Sequence, residues 1–195
     1  TTFAPYVHAV WHLSEKTDLT TGLRAEYTEY EYDNHTDDGL QGKLFRPADR
    51  SDDFSDVSPK LALVHRLSES RRVFASLTRA TRAPQTTDLY RLRDADRTGP
   101  LEPNPADVDS ETLDSFEIGY RSFSSGLSYE VSLFTMRKEN YHFRDGSDYY
   151  ETDGETSHEG VELELDWQIN DALSLHNSVS WAKHEYAFNR DVTGG

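Results

Sequence analysis

The sequence predicts an all-β fold, an antiparallel up-and-down meander of about eight long strands. Three observations predict it. Residues 161–169 alternate strictly: Val161, Leu163, Leu165, Trp167 and Ile169 are apolar, and Glu162, Glu164, Asp166 and Gln168 separate them. A period of two is a strand with one apolar and one wet face. The alternating stretches are also long, well beyond the roughly five or six residues of an ordinary soluble strand. Finally, the connections alternate between short polar turns and long loops rich in Asp, Gly and Pro.

Taken in order, the first strand covers residues 4–13, with Val7, Ala9, Trp11 and Leu13 on one face and Tyr6, His8 and His12 mostly on the other. A turn at residues 14–18 leads to a second strand, 19–33, where Leu19, Leu23, Ala25 and Tyr27 oppose Thr20, Arg24, Glu26 and Thr28. A polar connection is expected over 34–56. The third strand, 57–67, places Leu61, Leu63 and Leu67 on one face. The fourth, 71–82, follows a turn at 68–70, and its Val73-Phe74-Ala75-Ser76-Leu77 run leaves its faces open. A second long connection, 83–109, holds Pro84, Pro100, Pro103 and Pro105. The fifth strand, 110–122, sets Phe116, Ile118 and Tyr120 against Glu117, Gly119 and Arg121. The sixth, 127–143, sets Leu127, Tyr129, Val131 and Leu133 against Ser128, Glu130 and Ser132. A third polar connection, 144–156, precedes a long hairpin turning at Asn170-Asp171, whose second arm carries Leu173, Leu175, Val179 and Trp181. No stretch reads as a sustained amphipathic helix.

Row upon row of carboxylates on one strand face needs water, since an unpaired buried charge is costly. That face therefore meets solvent or lines a wet lumen. Short turns on one side and long loops on the other are the pattern of an outer-membrane barrel. The mean hydropathy of −0.80 does not oppose this, because only every second strand residue of a barrel faces lipid. The net charge of −16 argues against nucleic acid as a partner. The absence of cysteine excludes disulfides and thiolate metal sites. No apolar run is long enough for a transmembrane helix, and no signal peptide is visible at Thr1. The chain reads as a single partial domain over residues 1–195, a fragment or mature segment.

Several motifs carry a family resemblance. Arg82-Ala83-Pro84-Gln85-Thr86-Thr87-Asp88-Leu89-Tyr90 resembles the arginine-x-proline segment of TonB-dependent outer-membrane receptors. Leu101-Glu102-Pro103, Ser110-Glu111-Thr112 and Phe116-Glu117-Ile118-Gly119-Tyr120-Arg121 resemble the entry to their next strand. Gly154 to Gly160, followed by Val161-Glu162-Leu163-Glu164, resembles a later strand of the same family, and with residues 54–67 the similarity spans nearly the whole chain. The resemblance implies part of a 22-stranded transmembrane β-barrel in the bacterial outer membrane, with the plug and terminal strands outside this chain. It implies uptake of a scarce nutrient such as a ferric siderophore, with outer-membrane lipid, the receptor's own plug and TonB as partners. It implies neither an enzyme nor a bound cofactor. Haem receptors of the family carry a histidine that residues 85–103 lack, and Thr81 stands where they have an aromatic, so haem is disfavoured.

Ligand recognition is expected at the outer loops. Arg82, Arg91 and Arg93 cluster there with Arg97, and arginine forks bind carboxylates and phosphates bidentately. Tyr90 offers a stacking surface. Asp88, Asp94 and Asp96 among them equally suit internal ion pairs. His142 and His158 lie near a carboxylate-rich loop, and imidazole suits transition metals, but the spacing assigns no metal site. The acidic stretch 33–56 lacks the spacing of a Ca²⁺ loop. Residues 154–160 form no nucleophile elbow, and no phosphate loop is present.

The competing reading is a complete eight-stranded outer-membrane barrel acting as adhesin or hydrolase, which would close by pairing residues 4–13 with 173–185. A soluble β-sandwich binding module is a third. The expectation here is a curved sheet that stays open at both edges.

Overall fold

The computed structural model describes residues 1–35, 48–90, 108–144 and 150–187. The elements are β1 (Thr2–Phe3), β2 (Tyr6–Ser14), β3 (Thr17–Tyr32), β4 (Arg50–Ser68), β5 (Arg71–Arg82), α1 (Thr86–Tyr90), β6 (Glu111–Ser124), β7 (Leu127–Arg144), β8 (Tyr150–Asn170) and β9 (Leu173–Tyr186). The strands form one nine-stranded antiparallel sheet in sequence order, with β1 and β2 both paired to β3. β2 falls within the predicted first strand and β1 precedes it, the two being separated at Ala4-Pro5, where proline has no N–H to give to a ladder. The sheet path ends at β9, which pairs with β8, so the sheet is open. The small closed barrel required a β2–β9 ladder and is not favoured.

The registers explain the alternation. One row crosses the whole sheet as Trp181, Val161, Leu133, Ile118, Ala75, Leu63, Leu19 and Trp11. Every member is apolar, with a tryptophan at each end. The neighbouring row on the opposite face is Ser180, Glu162, Ser132, Gly119, Phe74, Val64, Asp18 and His12. The same registers settle β5: Val73, Ala75 and Leu77 lie on the apolar face, and Phe74 and Ser76 on the other. Among the described residues the apolar face has no second layer. Leu133 is 55% exposed and Trp181 61% exposed, whereas a sandwich would bury both between sheets. Lipid, not protein, is the natural cover for such a face.

The polar face supports itself by cross-strand pairs. The Arg121 guanidinium donates to Glu130 and lies 5.9 Å from the Phe74 ring centre. Asp166 takes a 2.6 Å bond from His176, and Thr78 and Ser115 share a hydroxyl bond of 2.5 Å. Phe74 and Phe134 each lie across a glycine, Gly119 and Gly160 respectively.

Several strand ends differ from the expectation. β4 begins at Arg50 rather than residue 57, and its ladder with β3 runs out to Tyr32↔Arg50. β8 begins at Tyr150, so the expected 144–156 connection shrinks. Both extensions break the apolar alternation, because beyond the bilayer neither face needs an apolar stripe; in β4 the backbone ladder is joined by side-chain contacts such as Arg50–Asp52 and Tyr30–Phe54. The 21 residues of β8 span about 70 Å, more than a tilted bilayer crossing needs. The hairpin turn falls at Asp171-Ala172, one residue later than expected. A five-residue helix, α1, stands where no helix was expected.

Candidate functional site

Between β4 and β5 the ladder stops at Lys60↔Thr78. Beyond it β4 continues along β3 to Arg50, and β5 continues along β6 to Arg82. Pro59 sits at the parting, where its missing N–H costs nothing. Side chains bridge what the backbone no longer pairs. Ser58 and Thr81 hydroxyls lie 2.9 Å apart, and the Ser110 hydroxyl donates to Asp56 at 2.8 Å.

The segment after β5 crosses this fork back to β3 and β4. α1 is made by its start signal. The Gln85 N–H donates to the Asp88 carboxylate at 2.8 Å, and the Asp88 and Leu89 N–H groups donate to the Gln85 carbonyl. This is half a capping box, with the acid at the third helical position. Leu89 is 1% exposed, and Pro84 is fully buried. The Tyr90 ring stacks on Tyr32 at 4.5 Å between centroids, and the Arg50 guanidinium lies 5.8 Å from its centre. Arg50 also forks onto Asp52. The Tyr90 hydroxyl is buried without a hydrogen-bond partner among the described residues. Burial, reinforced by the Asp52 carboxylate, pushes its pKa up to about 12. Tyr90 is therefore a neutral phenol.

Arg82 belongs to a second cluster. Its guanidinium meets Glu111 at 2.6 Å, and the Lys138 ammonium meets the same carboxylate at 3.1 Å. The His142 backbone N–H donates to the other oxygen of Glu111 at 3.1 Å. Glu111 is only 3% exposed. It lies above the lipid band, because the outward residue at Asp114 is already charged and bonded to Arg79 at 2.6 Å. Burial opposes its ionisation, but the His142 N–H, Lys138 and Arg82 outweigh burial and hold its pKa below the ordinary glutamate value. One buried anion between two cations leaves the cluster with a positive excess.

A cavity of about 470 Å³ opens at the fork, lined among others by Arg24, Tyr30, Ser58 and Arg82. Arg24 pairs with Glu26 across the same wall. Guanidinium and phenol groups around open water suit an anionic, partly aromatic ligand.

Of the residues expected to bind ligand, Arg82 and Tyr90 stand on the two sides of this fork, with different partners. Arg91 and Arg93 lie outside the described residues. Sequence reasoning missed Arg24, Tyr30, Tyr32, Arg50 and Lys138; the Tyr30-x-Tyr32 spacing put that pair on one strand face, whereas Arg50 and Asp52 fell in the expected 34–56 connection. It also set His142 and His158 beside one carboxylate-rich loop and assigned them no metal site. The structure separates them: His142 is 8% exposed with neither ring nitrogen bonded among the described residues, and His158 faces His184. His12 bonds Asp18 at 2.7 Å.

Comparison with known proteins agrees with this architecture. The sequence model of a family described as "TonB dependent receptor-like, beta-barrel" matches residues 1–195. No curated protein sequence matches the chain. Among solved structures, the copper transporter OprC superposes with a TM-score of 0.78 at 17% identity, over 95% of this chain and 28% of its own length. The ferric-catecholate import receptor Fiu of E. coli K12 gives 0.71 at 19% identity, over 98% of this chain and 29% of its own. The siderophore receptor PiuA of Acinetobacter baumannii gives 0.70 at 19% identity, over 94% and 25%. At these identities the likeness is one of fold. The chain spans between a quarter and a third of the length of these structures.

Proposed function

The chain belongs to the TonB-dependent receptor β-barrel family of the bacterial outer membrane, and from that premise we propose that it forms a wall and part of the outer mouth of a receptor importing a scarce nutrient, a ferric siderophore being the best fit. The family is one of receptors and transporters, not enzymes. The observation that carries the ligand class is the cavity at the β4–β5 fork. Arg24 and Arg82 offer charge, and Tyr30 offers a ring, in one wet recess. Anionic iron chelates carry both complementary features.

On this reading the apolar row seals the lipid phase while every strand's backbone groups pair with neighbours. The polar row faces the plug and lumen water. Binding at the mouth is passed to the plug, and TonB supplies the energy for release inward; both partners lie beyond this chain. On the sequence motif alone, Arg91 and Arg93 are assigned to ligand contact with Arg82 and Tyr90.

The test is uptake of radiolabelled iron, presented as a panel of anionic ferric siderophores, by cells expressing the full receptor or none. Expression should confer TonB-dependent uptake of at least one chelate. Arg82→Ala should weaken binding of that chelate roughly tenfold, about 1.4 kcal/mol. Uptake that is absent for every chelate, or TonB-independent, would overturn the assignment.

A further inference from the structure

We propose that His158 and His184 form a two-imidazole binding site for a divalent transition ion of the copper, nickel and zinc class on the lumen wall near the outer mouth. The two residues are direct cross-strand partners on β8 and β9. They share the polar face, in step with the Glu162–Ser180 pair. Their Nδ1 atoms lie 2.6 Å apart, with ring centroids at 4.9 Å and planes at 62°. Each imidazole thus presents its Nδ1 to the other. They border a cavity of about 380 Å³ together with Lys138, Tyr141, Thr156 and Tyr186.

The hydrogen-bond pattern prepares the site. The Thr156 hydroxyl lies 3.0 Å from His158 Nε2; in the tautomer that donates this N–H to Thr156, the lone pair stays on Nδ1. That lone pair now accepts the Nδ1–H of His184. On metal binding this N–H···N bond is replaced by two nitrogen–metal bonds. The His184 proton moves through solvent to its exposed Nε2, and no net proton is lost. Two nitrogens at about 2.0–2.1 Å from a tetrahedral ion stand about 3.3 Å apart. A small ring rotation on each strand supplies the difference. Imidazole is a preferred donor for these ions.

No third histidine, cysteine or carboxylate completes a group among the described residues. The ion's other positions are therefore left to water or to the donor atoms of a chelate. Such a site grips a metal without enclosing it, as a surface along an import path would need. The inference does not depend on which nutrient the receptor takes up, since it concerns the ion alone.

The test is titration of the purified full-length receptor with Cu²⁺, read by electron paramagnetic resonance and by competition with a chelator. The tightest Cu²⁺ should show two imidazole nitrogens. H158A and H184A should each weaken its affinity by about tenfold or more. T156V should weaken it less, with T156S restoring it, because Thr156 is a positioning residue. H176A, whose ring is bonded to Asp166, should change nothing. Should either alanine variant fail to assemble, H158Q and H184Q are read in the same way. Tight Cu²⁺ binding that survives both histidine substitutions, or a wild-type receptor that binds none, would overturn the proposal.

Discussion

Glycine makes two of the closest approaches in the sheet, and the two differ in a way that can be tested residue by residue. A Cβ on Gly119 would lie 2.3 Å from Phe74 Cζ and 2.9 Å from the Val131 carbonyl oxygen. A Cβ on Gly160 would lie 2.5 Å from the Trp181 carbonyl oxygen and 2.6 Å from Phe134 Cζ. In both cases a phenylalanine on the neighbouring strand covers backbone that glycine leaves bare, a cross-strand rescue of glycine by an aromatic ring. At Gly119 the worst clash is with a side chain that can leave; at Gly160 it is with backbone of β9. Gly119→Ala and Gly160→Ala should each destabilise by about 1–3 kcal/mol. Adding Phe74→Ala should recover much of the Gly119→Ala loss, and adding Phe134→Ala should recover little of the Gly160→Ala loss. Thermal unfolding of the four variants and both doubles in detergent measures this coupling. Equal recovery at both sites would mean that the ring, not the ladder, sets the spacing at Gly160.

At the scale of elements, the short helix α1 and the long polar strand ends are where structure departs from sequence pattern, and both have a physical reason. The strand cores between the turns were legible because one face must meet lipid, which forces apolar residues at every second position: Val161 to Ile169 and Leu127 to Leu133 could hardly be read otherwise. Beyond the bilayer that demand ends. Ser51-Asp52-Asp53 and the start of β8 pair through the backbone with no lipid-facing demand, so their sequence carries no apolar period. α1 is too short for a 3.6-residue period to show, yet Pro84 and the Asp88 that caps Gln85 announce a helix start. The fork itself was invisible, because a missing ladder is a relation between two strands; only Pro59 hinted at it. Tyr90 and Arg82 were singled out through a motif, while their partners Tyr32 and Glu111 lie far off in sequence. This view makes α1 a latch between β5 and the β3–β4 hairpin. Leu89→Ala removes a fully buried side chain and should cost the latch about 2–5 kcal/mol. Asp88→Ala removes the cap and should cost about 1 kcal/mol. Limited trypsin digestion should then cut faster after Arg82 in both variants, most in Leu89→Ala, while the unfolding temperature of the barrel stays near that of the parent. A matching fall in barrel stability would show that α1 supports the wall rather than the mouth.

For the whole molecule, the decisive fact is that a sheet with almost no buried apolar side chains is nonetheless well specified. Its order comes from the ladders and from a strict division between two faces, one meant for lipid and one for water. In the open sheet both faces are exposed, so exposure alone cannot tell them apart; the rows of cross-strand partners can. Ser178 and Val179 are adjacent on β9, both exposed, and belong to opposite rows: Ser178 opposes Glu164, and Val179 opposes Leu163. In the assembled barrel Val179→Arg would place a cation against hydrocarbon, at a cost of about 2–4 kcal/mol near the bilayer midplane. Ser178→Arg would place the same cation in the wet lumen beside a carboxylate, where a surface change stays within about 0.5 kcal/mol. The measurement is the fraction of receptor recovered as the folded, heat-modifiable form in outer membranes. It should fall sharply for Val179→Arg and hold for Ser178→Arg. The reverse order would turn the sheet inside out, putting the carboxylates of β8, the fork cavity and the histidine pair on the lipid side, where none could serve a ligand.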